Sequence, residues 1–411
     1  MNRPARSTFR AFGPGLVSGA SANDPTTVGT LAVVGAATGY GLAWLVVLLL
    51  PILAVVQAIA ASVAAVSQMS LQQAIARAYG RGFALASAVA IVAIGLLTLG
   101  ADVAAGAQAV TLLCGAPPWI FVAPLVAFVG WLLATKSYLR IERTLAWFTL
   151  IFLCYVASAV CARPDWAAVG RSIFVPHIAV TPAAIAGALA LLGTTLTSYV
   201  YFWESIEVAE RRPDPSQLKA VNVDAVVGMT VAASSFLFIL VATAATSGVH
   251  HTNIQTAADA AAALRPLAGG FDEALFGIGL LASATIAIPV IAATNGYVVA
   301  QTFGLRAGLT HRVGEAKGFY AAIFASLGTA AILALLPVPT LSLLYWVSVA
   351  AGLATPLTLV LTMLVARNRG IMGGRPIGGA LAAAGWAVTA IAAVAAIAFV
   401  VSAIRPLLST G

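Results

Sequence analysis

A chain of 411 residues that is 61% hydrophobic and only 8% charged departs far from soluble domains, in which about a quarter of the residues carry charge. It reads as a polytopic membrane protein. The formal net charge of +8 does not signal a nucleic-acid partner, because the basic residues lie in short segments between apolar runs, as in cytoplasmic loops.

At about 20 apolar residues per crossing, eleven spans are expected: 12–38, 41–66, 83–113, 118–135, 144–162, 182–208, 220–247, 271–302, 317–337, 340–366 and 377–404. The run after Arg3, Arg6 and Arg10 has no clean cleavage site, so the N-terminus is expected to be retained and cytoplasmic. With that start, seventeen of the Lys and Arg residues fall on the inner side. Only Arg163, Arg171, Arg265 and Arg405 fall outside. The bias predicts an inward N-terminus and an outward C-terminus. The chain forms one transmembrane domain over 1–411, and the surrounding lipid bilayer is its first partner.

The first span carries an anomaly. Asp24, Pro25, Thr26 and Thr27 lie near its middle, where an ionisable side chain costs about 3 kcal/mol or more. Proline has no N–H and its ring clashes with the preceding turn, so the helix should break just before Pro25. A break at membrane depth is tolerated only where it lines a cavity or is covered by protein. An acid beside a break is a candidate cation site. The competing reading makes Asp24 the cap of a helix that begins at Pro25. The two roles are compatible.

Cys114, Cys154 and Cys161 sit in apolar runs or at their ends, with neither a disulfide framework nor a metal-ligand spacing. His177, and the adjacent His250 and His251, belong to polar outer connections. In the sixth span, Thr194, Thr195, Thr197 and Ser198 put four hydroxyls into five positions. Such side chains satisfy carbonyls freed by local unwinding, or bond back to an intact helix. A second break is predicted here. Glu204, Glu207 and Glu210 recur on one side of the segment that follows and would line an inner exit or form a solvated helix end. Asn222, Asp224 and Asn295 are candidates for interhelical bonds or for support of the site. Five spans followed by five more invert the second set relative to the first, so 12–162 and 182–366 are expected to be inverted repeats, with 377–404 peripheral. No HExxH, G-x-S-x-G or GxxxxGK[ST] pattern is present, so the chain is not read as an enzyme.

At its two interrupted spans the chain resembles the NRAMP superfamily of divalent-metal transporters. Gly13-Pro14-Gly15 followed by Asp24-Pro25-Thr26-Thr27 stands where the family has G-P-G and then D-P-G-N. Gly193-Thr194-Thr195-Leu196-Thr197-Ser198-Tyr199 stands where it has G-A-T-x-M-P-H. Gly100-Ala101-Asp102-Val103, Glu315 to Tyr320 and Arg367 to Met372 extend the likeness over nearly the whole chain. The resemblance is nearest to the branch similar to magnesium transporters, which lacks the methionine of the sixth span. It implies an all-α LeuT-type inverted repeat of five plus five helices and an eleventh helix, in a multi-pass plasma-membrane protein, here a bacterial inner membrane.

The resemblance also assigns the site. The family's metal-binding Asp falls on Asp24, its Asn on Thr27, its backbone donor on Thr194 and its methionine on Thr197, and Thr26 adds a further hydroxyl. Its histidines fall on Tyr199 and Glu204. Asp102 keeps one member of an acidic pair whose other member falls on Ala105, and the ninth span has no arginine. Ser198, Tyr199, Asp102, Glu204, Asn222 and Asp224 are therefore path or supporting candidates. All the implied ligands are hard oxygens. That set suits Mg2+ or Mn2+ held partly hydrated, and the lost thioether was the soft donor that favours late transition metals. The expected activity is divalent-cation transport by alternating access without strong proton coupling. The alternative on the same fold is a carrier of an amino acid or small organic solute. The ion is cargo and no cofactor is called for. The oligomeric state is left open, a monomer being compatible.

Overall fold

The structure is a computed structural model that describes residues 21–135, 153–176, 181–213, 217–248, 254, 256–261 and 272–409. The Gly13-Pro14-Gly15 motif, Lys136, Arg140, Arg143, His177, His250, His251, Arg265 and the start of span 144–162 lie outside the described residues. The helices, in chain order, are α1 (Pro25–Thr38), α2 (Ala43–Ser67), α3 (Leu71–Cys114), α4 (Trp119–Ala134), α5 (Leu153–Cys161), α6 (Trp166–Phe174), α7 (Pro182–Thr195) and α8 (Ser198–Arg211). They continue with α9 (Leu218–Thr243), α10 (Ala257–Ala261), α11 (Asp272–Thr302), α12 (Lys317–Ala334), α13 (Thr340–Arg367) and α14 (Gly379–Ser409). Among the described residues, eight helical stretches are long and apolar enough to cross a membrane, with Pro182–Arg211 counted as one; Trp119–Ala134 is shorter.

Both expected interruptions are present. Ser21 is helical, Ala22–Asp24 is not, and α1 starts at Pro25. The sixth span divides into α7 and α8 around Leu196 and Thr197. One boundary differs from expectation: α3 begins at Leu71, not near residue 83. Gly80 adopts φ 83° and splits off a first segment, 71–79. That segment is rich in Gln and Ala rather than long aliphatic residues, so an apolar count passes over it. Its start is fixed by a capping box in which Ser70 and Gln73 exchange bonds with each other's backbone N–H.

Helix α1 packs against α9, α13, α7, α3 and α11, and the most extensive helix pair is α3 with α11. Close approach depends on small residues, as in membrane bundles generally. A Cβ on Gly193 would stand 2.0 Å from the Ser348 carbonyl oxygen, and one on Gly352 would stand 2.6 Å from that of Leu189. Backbones of α7 and α13 therefore touch directly. The outward surface carries large apolar side chains, among them Trp119, Trp131, Trp346, Val394 and Ile397. In a soluble protein such a surface would be an aggregation hazard; it is what a membrane-spanning bundle presents.

Candidate functional site

The site grows out of the start of α1. A helix leaves its first backbone N–H groups without intrahelical partners. Pro25 has none to offer. The Thr26 N–H donates to Asp102 Oδ1 at 3.1 Å, the Thr27 N–H to Asp24 Oδ1 at 2.6 Å, and the Val28 N–H to the Asp24 carbonyl at 3.1 Å. The first turn is thus satisfied largely by two carboxylates, that of its own N-cap and that of Asp102 on α3. The Thr26 hydroxyl reinforces this with a 2.6 Å bond to the same oxygen of Asp102. The positive end of the helix dipole favours both acids.

The unwound backbone is also held by protein. In a continuous helix the Ser21 carbonyl would pair with the nitrogen of residue 25, which is a proline. The Tyr199 hydroxyl takes its place at 2.9 Å and also lies 2.8 Å from Asp24 Oδ2. One phenolic proton serves two acceptors. The Asn23 side-chain oxygen accepts from Ser235 on α9, and its carbonyl accepts from Ser283 on α11. Irregular backbone at this depth persists because neighbouring helices satisfy it.

At the second break the Thr197 hydroxyl lies 2.7 Å from the Gly193 carbonyl oxygen and 2.8 Å from that of Thr194. In an unbroken helix those two carbonyls would accept from the Thr197 and Ser198 N–H groups. The hydroxyl has one proton for two carbonyls, which leaves acceptor capacity for a cation. The expected alternatives of back-bonding and unwinding therefore coexist at one residue. Thr27 Oγ1 and Thr194 Oγ1 meet at 2.9 Å, joining the two breaks. Asp24, Thr26, Thr27, Thr194, Thr197, Tyr199 and Asp102 are brought into one bonded cluster, and each is at most 3% exposed.

Charge is the decisive feature. Every described Lys and Arg with an assigned burial is exposed, so among these residues no basic side chain is buried with the two acids. Asp102 Oδ2 has no hydrogen-bond partner among the described residues. Two buried carboxylates without a counter-charge cost several kcal/mol each, and a divalent cation would neutralise both. Their oxygens, three threonine hydroxyls and the freed carbonyls form a hard, all-oxygen donor set. Among the described residues no cluster of three or more His, Cys, Asp or Glu is present. The set depends on hydroxyls and backbone rather than on a cage of titratable ligands.

The remaining candidates separate. Ser198 adjoins the cluster but bonds to Thr358 on α13 at 3.0 Å, and Tyr201 joins the same threonine at 2.6 Å. Asn222 accepts from Ser62 at 3.2 Å, an ordinary bond between α9 and α2. Glu204 and Asp224 are buried, on α8 and α9. Asn295 packs against Gly95 of α3, and neither end of its amide has a partner among the described residues. The column Ser348, Thr355, Thr358 and Thr362 on α13 was not singled out from the sequence. Thr30 on α1 meets Ser348 at 2.7 Å, and Thr358 meets Ser198, so this column supports both broken spans. Its spacing of seven, three and four residues traces one helix face, a signal that was available.

Comparison with known proteins gives a consistent picture. A family model described as natural resistance-associated macrophage protein-like matches residues 15–402. A divalent metal cation transporter MntH of Deinococcus radiodurans is 26% identical over 95% of this chain and 89% of its own length. Relatives of the same name from Clostridium acetobutylicum and Caldanaerobacter subterraneus are 29% and 33% identical over 140 residues. These alignments span about a third of their lengths, 32% and 33%, and 33% of this chain. Among solved structures, the manganese transporter of Eremococcus coleocola superposes with a TM-score of 0.79 at 19% identity, covering 98% of this chain and 88% of that one. The nucleobase-cation-symport-1 family transporter MHP1 gives 0.62 at 16% identity, covering 97% and 93%. The architecture is the one these transporters share, in a multi-pass membrane protein.

Proposed function

The chain belongs to the Nramp family, and from that premise we propose that it carries a divalent metal cation, Mg2+ or Mn2+, across the membrane by alternating access. The observation that carries the reading is the pair of buried carboxylates, Asp24 and Asp102, bonded to the first turn of α1 with no buried base beside them among the described residues. A dication is the counter-charge that such a pair calls for. The relatives, transporters of divalent metal cations and of manganese by name, agree with it.

The choice of ion follows from the donors. Thr197 brings a hydroxyl where a thioether would favour cadmium or ferrous ion, so discrimination against abundant alkaline-earth ions is weak. Magnesium gives up its water reluctantly and is commonly held by one or two carboxylates with waters retained. The ion therefore crosses partly hydrated. Tyr199, Ala105 and the absence of arginine from 317–337 leave few groups to carry protons beside it, so coupling is weak. The arginine bias supports an inward N-terminus. An organic solute is disfavoured because Asp24 and Asp102 already occupy the helix N-terminus on which a substrate carboxylate would sit.

The test is uptake into proteoliposomes of Mg2+, Mn2+, Ca2+ and Cd2+, with an internal pH dye. Mg2+ and Mn2+ should enter and compete with one another, without robust acidification, and Cd2+ should show no preference. Submicromolar cadmium affinity, or acidification in step with metal entry, would overturn this choice of ion and coupling. An absence of uptake for all four would overturn the transport reading itself.

A further inference from the structure

At the end of the molecule that the arginine bias assigns to the cytoplasm, a cavity of about 930 Å³ opens between the first segment of α3, the end of α8, the end of α11 and the loop that follows it. Arg77 of α3, Arg212 at the C-cap of α8 and His311 of the loop line it, together with one acid, Glu210. The Glu210 carboxylate is already committed: Tyr297 donates its hydroxyl to it, and the Leu309 N–H donates to that hydroxyl in turn at 3.0 Å. Neither Arg77 nor Arg212 forms an ion pair among the described residues. Among the described residues the cavity therefore sets two guanidinium groups without ion pairs, and a histidine 3.8 Å from Glu315, against the single hydrogen-bonded carboxylate of Glu210, a net positive lining. That field repels a departing dication and attracts an anion. Guanidinium forks match the paired oxygens of phosphate. Amides and hydroxyls, such as those of Gln73 and Thr310, also line the cavity. This polar lining suits a soluble phosphate better than a lipid with its acyl chains.

We propose that this cavity binds a soluble polyphosphate, such as the phosphate tail of a nucleotide, which bridges Arg77 and Arg212 and holds α8 against α3. Helix α8 carries Arg212 at one end and, at the other, Tyr199 bonded to Asp24. An anion that pins the far end restrains the element that must move for the ion to leave. The binding stands on the cavity alone; the effect on flux rests on the transport reading.

The experiment uses the full chain in neutral-lipid nanodiscs, with pyrophosphate and then ATP titrated in the absence of divalent metal. Calorimetry and thermal unfolding report binding, since a ligand for the folded state raises the melting temperature. Both anions should bind the wild type, and Arg77→Gln with Arg212→Gln should weaken them at least tenfold while leaving Mn2+ binding unchanged. Arg405→Gln is the control. No binding to the wild type, an unchanged affinity in the double variant, or stabilisation only by phosphatidylglycerol in the disc would each overturn the proposal. In proteoliposomes with pyrophosphate on both sides, chelation slows both proteins alike, so uptake by the wild type should slow at least threefold more than uptake by the variant. Equal slowing would overturn the flux half. Absent uptake in both without pyrophosphate would fault the transport reading and leave the binding result standing.

Discussion

Asp24→Asn isolates charge from structure. Asparagine caps a helix about as well as aspartate, so its side-chain oxygen keeps the 2.6 Å bond from the Thr27 N–H. Its amide then faces Tyr199, 2.8 Å away, and the phenol becomes the acceptor there while donating its proton to the Ser21 carbonyl at 2.9 Å. Every bond at the break survives, and in one respect the arrangement is cleaner, because a single proton no longer serves two acceptors. Losing the charge at the helix N-terminus costs about 0.3–1 kcal/mol. Relief from burying an uncompensated carboxylate offsets this. The ion-free variant should unfold within about 1 kcal/mol of the wild type. Ion binding behaves differently: a unit charge pair at 4 Å is worth about 4 kcal/mol at an effective dielectric of 20, and a dication doubles that. Most of the gain offsets dehydration, yet a residual loss of about 1.4 kcal/mol already lowers affinity tenfold. Thermal unfolding with and without Mn2+, beside uptake in proteoliposomes, gives both readings. Normal stability with ion binding and uptake reduced at least tenfold is the expected result. A folded Asp24→Asn protein that transports like the wild type would refute the argument.

Asp102→Asn should likewise keep an acceptor for Thr26 and leave ion-free stability unchanged or raised, while the melting shift produced by Mn2+ shrinks. Tyr199→Phe removes the donor to Asp24 and Ser21 and should destabilise the ion-free protein by about 1–3 kcal/mol. The ion-induced melting shift should grow, because the carboxylate oxygen is no longer contested. Gly193→Ala forces a methyl to within 2.0 Å of the Ser348 carbonyl oxygen and should cost about 1–3 kcal/mol through overpacking. Unfolding and uptake should both suffer, whereas Gly328→Ala, with nothing within 4 Å of its Cβ, should leave both unchanged.

The first break was legible because two local rules coincide at Asp24 and Pro25, an acid where lipid forbids it and a residue that cannot continue a helix. The second break has no proline, and only the density of hydroxyls betrayed it. The hydroxyl does not decorate the break but replaces two backbone donors, as the Thr197 distances show. The pairings between distant residues were not legible. Thr26 with Asp102 is a contact 76 residues apart, and Tyr199 with Asp24 one of 175. No periodicity within a single span encodes which helix its polar face will meet. The column on α13 shows the same limit, since its spacing marks a face and leaves the partner unnamed. The first segment of α3 escaped notice because amides and alanines, rather than large aliphatics, make up a helix that is covered by protein on one face and borders a cavity on the other.

The bonding at the two breaks has a consequence for the cargo. Each oxygen offered to an ion, apart from Asp102 Oδ2, already holds a helix end: Asp24 Oδ1 caps α1, Asp24 Oδ2 takes the Tyr199 proton, and the Gly193 and Thr194 carbonyls share the Thr197 proton. An entering ion does not fill an empty cage but competes with the protein's own hydrogen bonds, and each bond it displaces subtracts from its affinity. A site built this way binds weakly and releases readily. On the transport reading, that suits an abundant dication that keeps part of its water, because a hydrated ion replaces displaced bonds through its own water protons instead of stripping the donors bare. A scarce metal that must be captured at trace level would need ligands free of structural duty. On that reading, the donor chemistry and the energetics of the break favour the same class of ion.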